Sequence, residues 1–308
     1  RNNLASAYES AGDLGRAIAL FEETLADRVR LLGEDHPDTL ASRNNLAGAH
    51  QEAGDLGRAI PLFEQTLADR VRLLGEDHPH TLTSRNNLAN AHQTAGDLGR
   101  AIALFEETLA DRVRLQGEDH PDTLASRNNL AGAHQAAGDL GRAIPLFEQT
   151  LADSVRLQGE DHPDTLISRN NLAGAHQAAG DLGRAMPLFE QTLADSVRLL
   201  GKSHPLTLVF RFNIAVAYGA AGNLARAIPL FEQTLADAVR VLGEDHPHTL
   251  TARGNLASTY LAAGDLGQAI PLYEQTYADS VRVLGEDHPQ TLTSRSNLAS
   301  ARRAEQES

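Results

Sequence analysis

The chain has no cysteine, which removes disulfides, thiolate metal sites and a cysteine nucleophile together. A reducing cytoplasm suits such a composition, and the cytoplasm is the expected compartment. No apolar run approaches the roughly 20 residues that span a bilayer, and no signal peptide stands at the start, so no membrane is expected as a partner. Basic residues are the minority: 27 Lys and Arg face 41 Asp and Glu, for a formal charge of −14. Sequence-independent binding to phosphate backbones depends on clustered cations, and nucleic acid is therefore set aside. Nor does any Pro/Gly/Ser-rich joint or shift of composition divide the 308 residues. One continuous domain over residues 1–308 is the expectation. An initiating Met is also missing, and Arg1 falls inside a repeat, which points to a fragment of a longer polypeptide.

What the chain does have is repetition. Arg1, Arg43, Arg85, Arg127, Arg169, Arg211, Arg253 and Arg295 open variants of one phrase, clearest as Arg43-Asn44-Asn45-Leu46-Ala47, at a period of 42 residues without insertion or deletion. Seven repeats and a terminal helix from about residue 288 account for the whole length. A fixed period of this size marks a solenoid, in which each unit buries its apolar face only by stacking on the next. Function then belongs to a repeated surface and not to one catalytic pocket.

Within a repeat, Leu56, Ala59, Ile60, Phe63, Leu67, Val71 and Leu74 fall at the three-and-four spacing of an apolar helical stripe. Asp55 is placed to cap the first amides and Gly75 to end the helix, so helix B spans about Leu56 to Leu74. The preceding stretch, about Pro37 to Ala53, forms helix A, with Asp35 or His36 as N-cap, Pro37 in the first turn and Gly54 as terminator. Turning 100° per residue groups Arg43, Leu46, Ala47 and His50 on the buried side and Ala41, Asn45, Gly48 and Glu52 opposite. Pro61, Pro145, Pro187, Pro229 and Pro271 lie inside helix B and predict a bend there. The expected fold is all-α, about 15 helices in a right-handed α-solenoid superhelix.

The spacing Asn45-Leu46-Ala47, His50, Gly54, Ala59, Phe63 resembles the tetratricopeptide repeat, whose usual period is about 34. Eight extra residues and the junction Leu74-Gly75-Glu76-Asp77-His78-Pro79 look like the longer repeat of kinesin light chains. The near-verbatim copies are similar to the arrays that follow NB-ARC-type nucleotide-binding domains in actinobacterial regulatory proteins. The resemblance covers the entire chain and implies that helix A lines a concave groove. It also implies a non-enzymatic scaffold that binds a protein or peptide, or else the sensor or autoinhibitory arm of a larger signalling ATPase, docking on upstream domains of the same polypeptide.

On that placement a column of carboxamides faces the groove: Asn45, Asn87, Asn129, Asn171, Asn213 and Asn255, continued by Asn3 and Asn297 at the ends. A carboxamide both donates and accepts, as a peptide backbone requires, and Asn ladders with that role are what the kinesin light chain resemblance implies. The alternative is that each Asn bonds to its neighbour across the repeat interface or is simply solvated. One repeat departs from the template: its junction reads Gly201-Lys202-Ser203-His204-Pro205, and Val209, Phe212 and Val216 flank Asn213. These three form a candidate anchor for an apolar ligand side chain, or they repack the repeat interface.

Other constellations carry less. Of thirteen histidines, seven at the junctions and four in the A helices recur one repeat apart, and helices spaced about 8–10 Å apart put equivalent residues beyond a zinc ion whose Zn–N bonds are about 2.0 Å. No metal and no cofactor are expected. The Glu34-Asp35-His36-Pro37-Asp38 junction reads as helix capping along an acidic rim, Gly54-Asp55-Leu56-Gly57-Arg58 joins two helices without the strand a phosphate loop needs, and no Ser-His-Asp set stands out. Arg43 faces the predicted core and requires a carboxylate, with Glu64 and Asp69 both recurring every 42 residues. Leu4 and Ala7 of the first helix lack a preceding repeat, which leaves a homodimer through that helix as a further expectation.

Overall fold

Each repeat folds as two helices because it carries two sets of start and stop signals. In the computed structural model, which describes residues 1–307, helix B of the second repeat runs Leu56–Leu74 and helix A runs Pro37–Glu52. Asp55 Oδ1 accepts from the Arg58 amide at 3.2 Å. Gly54, at φ +76°, reverses the chain between the two. Its amide donates to the Gln51 carbonyl at 3.0 Å and the Asp55 amide to the His50 carbonyl at 2.8 Å, the paired bonds of a Schellman motif. Of the two caps open for helix A, the structure selects His36: its Nδ1 accepts from the Asp38 amide at 3.1 Å. Asp35 instead receives Arg72 of the following helix. Gly75 ends helix B at φ +89°, ψ 164°, a positive-φ extended conformation rather than the left-handed helical one. Its carbonyl accepts the buried Thr81 hydroxyl at 2.8 Å, a tie repeated between Thr39 and Gly33 at 2.8 Å.

The described residues hold 15 α-helices and no strand, and the fold is all-α. They form two compact units, Arg1–Ala178 and a second that begins at Ala179. In the first, the A helices are α1 (Asn2–Ser10), α3 (Pro37–Glu52), α5 (Pro79–Thr94), α7 (Pro121–Ala136) and α9 (Pro163–Ala178), and the B helices are α2 (Leu14–Leu32), α4 (Leu56–Leu74), α6 (Leu98–Gln116) and α8 (Leu140–Gln158). The second holds the B helices α10 (Leu182–Leu200), α12 (Leu224–Leu242) and α14 (Leu266–Leu284) with the A helices α11 (Pro205–Ala220), α13 (Pro247–Ala262) and α15 (Pro289–Glu307). The B helices with an internal proline keep the same 19-residue length as α2 and α6, which have Ala19 and Ala103 at that position.

The core is shared between repeats. Phe63 of α4 packs with Ala47 of its own α3 and with Leu88 and Ala91 of the next A helix, α5. Phe105 repeats the arrangement against Ala89, Leu130 and Ala133. In the second unit Tyr273 does so with Ala257, Leu298 and Ala301. The small Ala side chains let the helices approach, and burying each ring contributes about 1.5–3 kcal/mol. Because the next repeat supplies part of each cluster, one hairpin cannot complete its own core.

Arg43, Leu46, Ala47 and His50 are all buried, as the helical rotation requires. Arg43 pairs with Asp69, Nη1 to Oδ2 at 2.6 Å, and not with the exposed Glu64. The pairing recurs at 2.6 Å as Arg85–Asp111 and Arg127–Asp153 in the first unit and as Arg211–Asp237 and Arg253–Asp279 in the second. Each Asp also accepts from an Arg one turn on, as Asp69 does from Arg72 at 3.0 Å. A chain Arg43–Asp69–Arg72–Asp35 thus clasps both helices of a repeat to its own leading junction.

Candidate functional site

The A helices of the first unit expose their less apolar side, as expected from the rotation that buries Arg43 and His50. Between α1, α3 and α5 this side lines an open groove of about 650 Å³. Ser6 and Glu9 come from α1, Asn44, Asn45, Gly48, Gln51 and Glu52 from α3, and Asn87, Asn90, Gln93 and Thr94 from α5. The floor is rich in carboxamides because positions 44, 45, 48, 51 and 52 recur on one side of a helix with 3.6 residues per turn.

The amides are already engaged with one another. Asn87 Nδ2 donates to Asn44 Oδ1 at 3.0 Å, Asn129 to Asn86 at 3.0 Å and Asn171 to Asn128 at 3.0 Å. Asn45 reaches Asn2 at 3.5 Å, a longer contact. Gln51 Nε2 donates to Thr94 Oγ1 at 3.1 Å, at the same offset of 43 positions. The column read from the sequence therefore bonds across the repeat interface, through a second column, Asn44 and its equivalents, that sequence reasoning did not assign a role. The doubled Asn was its signal. A carboxamide has two N–H donors and a two-lone-pair oxygen. Each rung uses one donor of Asn87 and one lone pair of Asn44, leaving further capacity on both side chains.

In the second unit the ladder changes. Phe212 stands where the acceptor Asn would be, and Asn255 turns to its own helix, donating to the Thr251 carbonyl at 2.9 Å. Phe212 is half-buried and meets Phe231 of α12 edge-on, with ring centroids 5.7 Å apart. Part of that side chain belongs to the hairpin core. Val209 is exposed and Val216 half-buried on the same side of α11, beside the half-buried Asn213. So the structure groups Asn45 and Asn87 in the groove, continues their ladder through Asn129 and Asn171, and sets Asn213, Asn255, Val209, Phe212 and Val216 in the other unit.

Charge in the groove is one-sided. Glu9 and Glu52 line it and no basic side chain does. Burial, and then the neighbouring Glu52, push the Glu9 carboxyl above the usual carboxylate range. Among the described residues no three His, Asp or Glu side chains converge to hold a metal, and no helix is long and apolar enough to cross a membrane.

A family model described as tetratricopeptide repeat matches residues 1–70, 128–196 and 206–280, and a second of that description matches residues 81–122. Solved structures share the fold. The nearly identical TPR-like repeats of a protein from Podosopora anserina named as a kinesin light chain are 35% identical, with a TM-score of 0.54 over 67% of this chain and 97% of that one. A tetratricopeptide repeat protein from Parabacteroides merdae is 15% identical, with a TM-score of 0.61 over 97% of this chain and 96% of that one. A Signal Transduction ATPase with Numerous Domains (STAND) protein with a tetratricopeptide repeat sensor, from Pyrococcus horikoshii, is 12% identical, with a TM-score of 0.59 over 97% of this chain and 43% of that one. Those two likenesses concern the fold alone. None of the curated proteins compared with the chain matches it.

Proposed function

The chain belongs to the tetratricopeptide repeat family, whose members are protein-interaction scaffolds, and from that premise we propose that it is a non-enzymatic cytoplasmic scaffold, one array over residues 1–308, that takes an extended polypeptide segment along its A helices. The observation that carries this reading is the open groove lined by Asn44, Asn45, Asn87 and Asn90. Its rungs hold the amides in place while leaving donors and acceptors unspent, so a ligand backbone meets preorganised partners. Neighbouring helices are about 8–10 Å apart and an extended peptide advances about 3.3 Å per residue, which sets one rung to roughly every third residue. Each contact is worth about 0.5–1.5 kcal/mol net, and affinity comes from several together. Asn45, Asn87, Asn129 and Asn171 serve the backbone in the first unit, and Asn213 and Asn255 in the second. Val209 and Val216 offer an apolar anchor there, with Phe212 bracing it from the core.

The test is a set of labelled extended peptides titrated against the full chain and against a variant carrying Asn45→Ala and Asn87→Ala. The expected outcome is loss of peptide binding with a fall in stability no larger than two neutral hydrogen bonds, about 1–3 kcal/mol. Unchanged binding together with that loss of stability would make the ladder purely structural.

A second reading is favoured by the fold shared with the STAND protein that has a tetratricopeptide repeat sensor. On it the array is the sensor or autoinhibitory arm of a larger signalling ATPase and docks on upstream domains of its own polypeptide. A gene that encodes a nucleotide-binding loop upstream of Arg1 supports the arm, and a stand-alone reading frame supports the independent scaffold. Leu4 of α1 is 52% exposed, which keeps a homodimer through the first helix as a further proposal; light scattering of the wild type and Leu4→Glu decides it.

A further inference from the structure

The two carboxylates of the groove occupy one end of it. The register that sets Asn87 against Asn44, 43 positions apart, also sets Glu52 of α3 beside Glu9 of α1. Later repeats carry neither charge: the Glu9 position becomes Gln51, Gln93 and Gln135, and the Glu52 position becomes Thr94, Ala136 and Ala178. Both positions lie on the groove side of the A helices, among the residues that line it. Proximity of the two like charges, without a cation in the lining, is what raises the Glu9 carboxyl beyond the effect of its burial.

We infer that the occupant of this groove is an extended polypeptide segment that places one basic side chain, Arg or Lys, against Glu9 and Glu52 while uncharged residues continue over Asn90, Gln93 and Thr94. The inference rests on the peptide-binding reading of the groove and adds to it the charge of the ligand and the end of the groove where that charge sits. A cation at this end relieves the repulsion between the two carboxylates, and a guanidinium has enough donors to serve both. An acidic segment would bring a third negative charge where no cation lines the wall. Long-range attraction points the same way, since the chain's formal charge is −14.

The probe is a set of short fluorescein-labelled peptides of Gly, Ser, Ala and Thr in which one position, moved along the peptide, is Arg, Lys, citrulline or Glu. Fluorescence anisotropy on the full chain is expected to show Arg and Lys peptides binding at least about tenfold tighter than the citrulline peptide, the size of one charge-assisted hydrogen bond. In a chain with Glu9→Gln and Glu52→Gln that gap closes while the citrulline affinity stays. Added salt narrows the gap in the wild type. Circular dichroism checks that the double variant folds, and Glu52→Gln alone, at an exposed position, serves if it does not. A gap that persists without the carboxylates, or a Glu peptide that binds as tightly as the Arg peptide, overturns the inference. If every peptide binds alike and binding is lost only with Asn45→Ala and Asn87→Ala, the charge inference falls and the groove reading stands. Binding by none of the peptides removes both.

Discussion

Asp111 holds two guanidiniums at once, Arg85 at 2.6 Å and Arg114 at 2.9 Å. Burial alone would push its carboxyl up, but the hydrogen bonds from Arg114 and Arg85 outweigh this and hold it below the usual carboxylate range. Arg85 is itself buried and would keep only the exposed Glu107, 3.4 Å away, so Asp111→Asn leaves a buried charge poorly compensated and is expected to cost about 3 kcal/mol in urea unfolding. Asp77, the exposed partner of Arg114, is a control: Asp77→Asn should cost under about 1 kcal/mol. Equal losses would show that burial of Arg85 does not set the cost. The sign of the pH dependence follows. A depressed folded-state pKa gives stability that is present above the unfolded value, about pH 4, and is lost as pH falls through the folded one. Asp69, Asp237 and Asp279 are depressed by the same kind of Arg pairs. Acid unfolding followed by circular dichroism should therefore begin below about pH 4, where wild type and Asp111→Asn converge; a gap that stays constant into acid contradicts the assignment. That Arg43 needs a carboxylate was legible in the sequence. Which one was not, because Glu64 and Asp69 recur with the same period and only the side of α4 turned toward α3 separates them. The groove was legible to a similar degree: rotation placed Asn45 on the open side, but Asn44, one residue earlier, accepts from Asn87 of the next repeat, and a single-helix projection does not contain the next repeat.

At the level of the element, the B helices were readable because one side of each is apolar, and the observed Leu56–Leu74 matches that stripe. The A helices have no such simple stripe. Thr39, Leu40, Ser42 and Ala49 are buried along with Arg43, Leu46, Ala47 and His50, since α3 is packed on both α2 and α4. Their limits came instead from the caps, the His-Pro start and the glycine reversal, which act locally and survive loss of periodicity. Proline is the unsettled element signal. Pro145 lies inside α8, where the amide that would bond back to the Gly141 carbonyl is missing. Because α2 and α6 run the same 19 residues with alanine at that position, the backbone there accepts alanine. Pro145→Ala should raise stability by about 1 kcal/mol, one restored backbone hydrogen bond. A lower midpoint in urea would mean that the ring contributes packing or reduces unfolded-state freedom by more than the bond is worth.

For the molecule as a whole, the decisive property is that the core clusters on Phe21, Phe63, Phe105 and Tyr273 are each divided between successive repeats. Phe105 of α6 sits fully buried among Ala89 of α5 and Leu130 and Ala133 of α7. Removing the ring by Phe105→Ala should cost about 3–5 kcal/mol, the transfer of a large side chain plus the cavity left behind. In a structure held by nearest-neighbour terms that cost is local: it falls first on the hairpin that loses the ring and on the helix that leaned against it. Hydrogen exchange should accordingly speed up in α5, α6 and α7, while α13 and α14, whose cluster is built on Tyr273, keep their protection. A uniform loss of protection across every helix would mean that the chain opens only as one cooperative block. The same measurement bears on binding. Asn87, Asn90, Gln93 and Thr94 of the groove are on α5, so a peptide that seats there should slow exchange in the Phe105→Ala chain most where the substitution had quickened it, through the preference of the ligand for the closed state.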